Sequence, residues 1–148
     1  MATNTKPVGV AYSDPALDSV TVSGTSTLAA VTATSITNSG PTTGAIRLPV
    51  SAVAAAGSTQ GDAAALAEGI NVVSAADGTK GVILPTAVAG MVIIVKNTAA
   101  GALKIYPATG GAVNAVAANS AYSITNVTSS MLVASSTTQW YSVPLVAS

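Results

Sequence analysis

Charge is missing from two long intervals of this chain. No charged side chain lies between Asp18 and Arg47, and none follows Lys104 through Ser148. Exposed ions of both signs ordinarily keep copies of a soluble protein apart. Here five basic and five acidic residues serve 148 positions, and the formal net charge is zero. A net charge near zero favours association, and surfaces depleted in Lys, Glu and Asp are those that meet other protein surfaces. The two intervals are therefore expected to face other chains, with the few charges left at turns and strand ends.

Several classes of function are excluded on the same footing. The chain has no Cys and no His. Disulfides, thiolate nucleophiles and Cys-based metal sites are ruled out, as is the usual general base near neutral pH. One Arg and four Lys, spread singly, make no phosphate-binding stripe, so no nucleic-acid partner is expected. The apolar run Gly81–Val95 is shorter than the ~20 residues of a spanning helix and is interrupted by Pro85 and Gly90, so no membrane span is expected. No apolar core follows Lys6 and Pro7, so no signal peptide is expected. Neither a cofactor nor a metal is anticipated.

Four segments follow from the pattern. Residues 1–18 read as an extended arm, because Pro7, Gly9 and Pro15 prevent regular structure. Val8, Val10 and Tyr12 share one face of such an arm, and Leu17 adds a fourth apolar group suited to lying on a neighbour. Residues 19–50 form a Thr/Ser-rich strand segment for attachment or oligomerisation. There Val20, Val22, Leu28 and Ile36 share a parity, and Val31 begins a weak echo of Val20-Thr-Val-Ser eleven residues on. These nine residues are the candidate interface. Residues 51–68 are an Ala-rich link in which Asp62 could cap a helical turn and Gly69 end it.

Residues 69–148 form the fourth segment and carry the densest strand signals. Ile70–Val73, Gly81–Leu84, Met91–Val95, Leu103–Tyr106, Met131–Val133 and Trp140–Val143 recur at short intervals between Gly, Pro and Asn turns. Met91–Val95 is continuously apolar, which predicts a strand buried on both faces. The expectation is an all-β chain: a small antiparallel β-sandwich or barrel over about residues 69–143, with Trp140 and Tyr141 as large core or rim residues.

The same region resembles a module of tailed-bacteriophage virion proteins. The likeness rests on Gly81-Val-Ile-Leu-Pro85, then Gly90-Met-Val-Ile-Ile-Val-Lys-Asn97, then Ala102-Leu-Lys-Ile-Tyr-Pro107-Ala-Thr-Gly-Gly111, and Thr138-Gln-Trp-Tyr141. It covers about residues 60–143, with Ile105 where Val is common and Leu145–Ser148 running past the usual end. The resemblance implies a structural part of the virion, made in the host cytoplasm and commonly homotrimeric. Its members include head decoration (cement) proteins, head fibres and tail-fibre segments. A chain of this size fits a trimer on the capsid surface, whose partners are its own copies and the major capsid protein. The alternative is a fibre or receptor-binding module. Its loops around Pro107–Gly111 and Asn114–Ser120, with Tyr106 and Tyr122, would then meet a host-surface glycan.

No catalytic role is expected. Asp14, Asp18, Asp62, Glu68 and Asp77 each have a local explanation as turn former, cap or solvated charge. No Ser stands in a nucleophile-elbow context, and no Gly-rich phosphate loop is present.

Overall fold

A computed structural model of the chain describes residues 47–145. They contain ten strands and no helix. The strands are β1 (Val50–Ala54), β2 (Ala64–Ala65), β3 (Gly69–Ser74), β4 (Gly81–Ile83) and β5 (Val92–Asn97), followed by β6 (Leu103–Tyr106), β7 (Ala112–Val113), β8 (Tyr122–Ile124), β9 (Ser129–Ala134) and β10 (Gln139–Leu145). Residues 51–68 belong to this body, supplying most of β1 and all of β2.

The all-β expectation holds, but the winding differs from an antiparallel sandwich or barrel. The first six strands alternate between two sheets. β1, β3 and β5 pair in parallel in one sheet, and β2, β4 and β6 pair in parallel in the other. Val50 pairs with Ile70, and Ile70 with Ile94, so each coil takes about twenty residues. This is the path of a short solenoid, in which each coil stacks on the one before. The ladder then reverses: β8 lies antiparallel on β6, β9 on β5 and β10 on β9. The completed sheets run β1-β3-β5-β9-β10-β7 and β2-β4-β6-β8. Sequence spacing signals strands and turns, but a parallel coil and an antiparallel meander share those signals.

Side-chain alternation fills the space between the sheets. In β3, β5 and β9 every second residue is buried. Val73, Ile93, Val95, Leu132 and Trp140 from one sheet meet Val82, Leu103, Ile105 and Ile124 from the other. Trp140 is the largest of the fully buried side chains. Tyr106, a candidate glycan-facing aromatic by sequence, is also buried. Its Oη donates to the Ser58 carbonyl (2.7 Å), and its ring lies so close to Gly81 that a Cβ there would come within 2.7 Å of ring carbon Cε2. Tyr122 is half-buried at the edge of the core.

Two asparagines occupy inward positions that apolar residues would otherwise fill. Both are wholly buried. The Asn71 amide Nδ2 donates to the Ala67 carbonyl (2.8 Å) and its Oδ1 accepts the Ala67 N–H (3.0 Å). Asn97 Nδ2 donates to the carbonyls of Gly101 (2.8 Å) and Thr125 (3.1 Å), while its Oδ1 accepts the Ala99 N–H (3.0 Å). Each side chain satisfies loop backbone groups that no ladder reaches. Asn97 fastens two loops, one on each side of β6.

The turn between β8 and β9 holds one strained residue. Val127 has φ 58, a left-handed conformation that a β-branched side chain resists. Two substitutions separate these local effects. Asn97→Ala removes three hydrogen bonds to loop backbone groups and is expected to lower stability by about 2–4 kcal/mol. Val127→Gly relieves the turn and is expected to raise stability by about 1 kcal/mol. Urea denaturation followed by far-UV circular dichroism checks both, and equal midpoints for the two variants would contradict the assignment.

Candidate functional site

The inward half of the six-stranded sheet builds the core, so the outward half decides what the sheet can touch. Strand register brings outward residues of distant sequence into lateral rows. Val50, Ile70, Ile94, Met131 and Val143 form one row across five strands. Val92, Val133 and Tyr141 form a second row on one side of it. Ala52, Val72, Lys96, Ser129 and Leu145 form a third on the other side. Neighbouring strands stand ~4.8 Å apart, so the first row is continuous over roughly 19 Å.

These side chains are open to solvent at both margins of the face. Val50 is 67% exposed, Tyr141 53% and Val143 44%, with Ile70, Ile94 and Met131 half-buried between them. Lys96 carries the one charge in the three rows, and its Nζ donates to the Val127 carbonyl (2.6 Å). A groove of about 490 Å³ adjoins the face, lined by Leu48, Pro49, Glu68, Gly69, Val88, Met91 and Val92. Val92 belongs to both, so apolar surface continues from the sheet into the groove. Contiguous apolar patches of this kind mark interaction surfaces.

The other sheet is different outside. Its outward positions include Lys104, exposed Ser123 and the loop-covered Tyr106. Apolar exposure thus concentrates on one side of the solenoid. This corrects the reading of Met91–Val95 as buried on both faces. Ile93 and Val95 are wholly buried, Ile94 is half-buried and Val92 is exposed.

The interface residues named from sequence, Val8, Val10, Tyr12, Leu17, Val20, Val22, Leu28, Val31 and Ile36, all lie outside the described residues. The arm at 1–18 and the Thr/Ser segment up to residue 46 lie outside them too. The charge-free interval after Lys104 falls within them, and it supplies Met131, Val133, Tyr141, Val143 and Leu145 to the face. That interval thus holds nearly half of the residues in the three rows. The contributions of Val50, Ile70 and Ile94 had no sequence signal beyond ordinary alternation.

The acidic residues sit in separate turns. Asp62 Oδ1 accepts the Thr59 hydroxyl and N–H (both 2.7 Å). The Thr59 hydroxyl bond is the main cause holding the Asp62 carboxyl below its ordinary value. Asp77 Oδ1 accepts the Thr79 hydroxyl (2.7 Å) and the N–H groups of Thr79 (2.9 Å) and Lys80 (3.0 Å). An exposed ion pair joins Lys80 Nζ to Asp77 Oδ2 (3.3 Å). These bonds, the Thr79 hydroxyl foremost, hold the Asp77 carboxyl well below the usual carboxylate range. Among the described residues no three His, Cys, Asp or Glu side chains cluster to hold a metal ion.

No protein-family model, no curated protein and no solved structure matches the chain.

The Asp77 turn sets a pH dependence. A carboxyl whose folded pKa lies below its unfolded value of 3.8 adds stability above that pH and loses it as the pH falls further. Wild-type protein is therefore expected to lose more stability between pH 7 and pH about 2.5 than Asp77→Asn does. Urea midpoints at the two pH values measure this, and parallel losses would remove Asp77 from the account.

Proposed function

We propose that this chain is a structural protein of a tailed-phage virion. In this reading it is a head decoration protein that packs as a homotrimer on the outer surface of the major capsid protein shell and stabilises the head. The observation that carries the proposal is the apolar face of the six-stranded sheet, exposed at its margins and nearly free of charge. The resemblance of about residues 60–143 to phage virion modules supplies the virion context.

A neutral apolar face gains most against another neutral apolar face. Removing such surface from water yields roughly 25 cal/mol per Å². A copy of the same chain meets that requirement, with no charge to desolvate beyond Lys96. Three copies turned inward about an axis would cover the Ile70–Ile94–Met131 row in each and leave the loop-bearing sheets outward. Three capsid contacts on one trimer then act together, because after the first forms the others are effectively intramolecular. Repeated over a shell, modest contacts hold neighbouring capsid subunits against internal pressure. The role is assembly and clamping, with no chemical step.

The proposal is tested by analytical ultracentrifugation and by cosedimentation with undecorated capsids. Wild-type protein is expected to sediment as a trimer at micromolar concentration and to saturate capsids at a copy number matching local threefold positions. Ile94→Lys with Met131→Lys is expected to lower the trimer's stability at least a hundredfold while leaving the far-UV spectrum unchanged. A wild-type monomer that does not sediment with capsids would overturn the reading.

A further inference from the structure

The sequence offers no charged or metal-binding constellation, so any ligand site here must be built from hydroxyls, amides and apolar surface. Two depressions among the described residues have that make-up, and one of the two is lined by the single tryptophan. That depression, of about 410 Å³, lies between three turns: residues 83–87 after β4, residues 108–111 between β6 and β7, and residues 137–138 between β9 and β10. Thr86, Thr109, Thr137 and Thr138 are exposed around it, and half-buried Pro85 and Ala108 supply apolar surface. No charged side chain lines it.

Trp140 provides a second observation. It lines the depression while being only 1% exposed. No acceptor among the described residues takes its indole N–H. Yet Ser130 Oγ is the one sealed side-chain polar atom without a partner among those residues. The indole N–H is therefore without a protein acceptor and not fully sealed, on a side chain that lines the depression. An indole N–H only donates, and a threonine hydroxyl both donates and accepts. A ligand that satisfies both must carry acceptors and donors on a neutral frame.

The turns around the depression are held before any ligand arrives. The Gly111 N–H donates to the Ala108 carbonyl (2.9 Å), and the Ala112 N–H to the Thr138 carbonyl (2.8 Å). The Leu84 N–H donates to the Tyr106 carbonyl (2.8 Å). Ser136 Oγ accepts the N–H groups of Thr138 (3.2 Å) and Gln139 (3.1 Å). A backbone held in this way fixes where the threonines stand, so less conformational freedom is left to lose on binding.

We infer that this depression binds a neutral saccharide unit. A sugar ring offers hydroxyls along its edge and C–H groups on its face, which match the threonine rim and the Pro85 and Ala108 surface. Its ring and hydroxyl oxygens can accept the Trp140 N–H. The absence of charged lining disfavours phosphorylated or acidic sugars, whose desolvation would go uncompensated. The site shares no lining residue with the three rows of the proposed assembly face and does not depend on the capsid reading.

Trp140 is the single tryptophan of the chain, so its emission reports on the site directly. Full-length protein is titrated with glucose, galactose, N-acetylglucosamine, lactose and glucuronate. At least one neutral sugar is expected to shift the emission saturably, with glucuronate binding at least tenfold more weakly than the best of them. Thr86→Val with Thr109→Val keeps the shape, removes two hydroxyls and is expected to weaken binding at least tenfold. Its far-UV spectrum, oligomeric state and capsid cosedimentation should match wild type. Tighter binding of lactose than of galactose assigns the site to chain-borne sugar, and the reverse to free sugar. The inference is overturned if no neutral sugar gives a saturable shift, or if the valine variant binds as wild type does.

Discussion

Each coil of this chain must leave one sheet and enter the other, and the inward side chains of the two sheets must meet. That requirement governs the rest of the structure. The chain has few large apolar residues to meet it with. Ala, Val and Thr dominate, Phe is absent, and a single Trp fills the widest part of the core. Small residues close a gap only when the layers approach closely, and short strands on tight turns allow that approach. On the outer side of the second sheet, the Tyr106 ring lies so close over Gly81 that no Cβ would fit there.

Tight turns leave backbone groups that no ladder reaches, and a core this thin cannot absorb them unpaired. Asn71 and Asn97 resolve this from inside. Each presents an amide, with a donor and an acceptor fixed in one plane, to the loop beside its strand. The acidic residues resolve it from outside: Asp62 and Asp77 collect hydroxyl and N–H donors in exposed turns. Their low pKa values follow from turn-making, which accounts for them without a catalytic role.

With the inward halves of the strands committed to the core, the outward halves are free to differ, and the two sheets do differ. One exterior carries Lys104 and a covering loop, while the other carries rows of Val, Ile, Met, Tyr and Leu. Water tolerates scattered apolar side chains, but lateral pairing makes these contiguous. A charge-poor protein with one sticky side is suited to assembly, and the polar depression over Trp140 shares no lining residue with the rows on that side. The proposed division is mechanical contact through the sheet and ligand contact through the turns.

Much of the strand content was legible in the sequence, because period-two alternation and turn residues are local properties. Ile93, Val95 and Trp140 read as core candidates from neighbouring residues alone, and the structure buries all three. The charge-free interval after Lys104 was expected to face other chains, and it contains Met131, Val133, Tyr141, Val143 and Leu145, which the structure turns outward. The pairing of strands was not legible, because a parallel coil and an antiparallel meander need the same alternation and the same turns. Without the pairing, Val50, Ile70, Ile94 and Met131 were four separate residues, and Met91–Val95 looked buried on both faces. By itself the sequence determined a nearly uncharged chain without Cys or His and pointed to the strands that the described residues form. Only the tertiary structure decided which apolar residues share a surface and where a buried indole lines a depression, because both depend on contacts between coils about twenty residues apart.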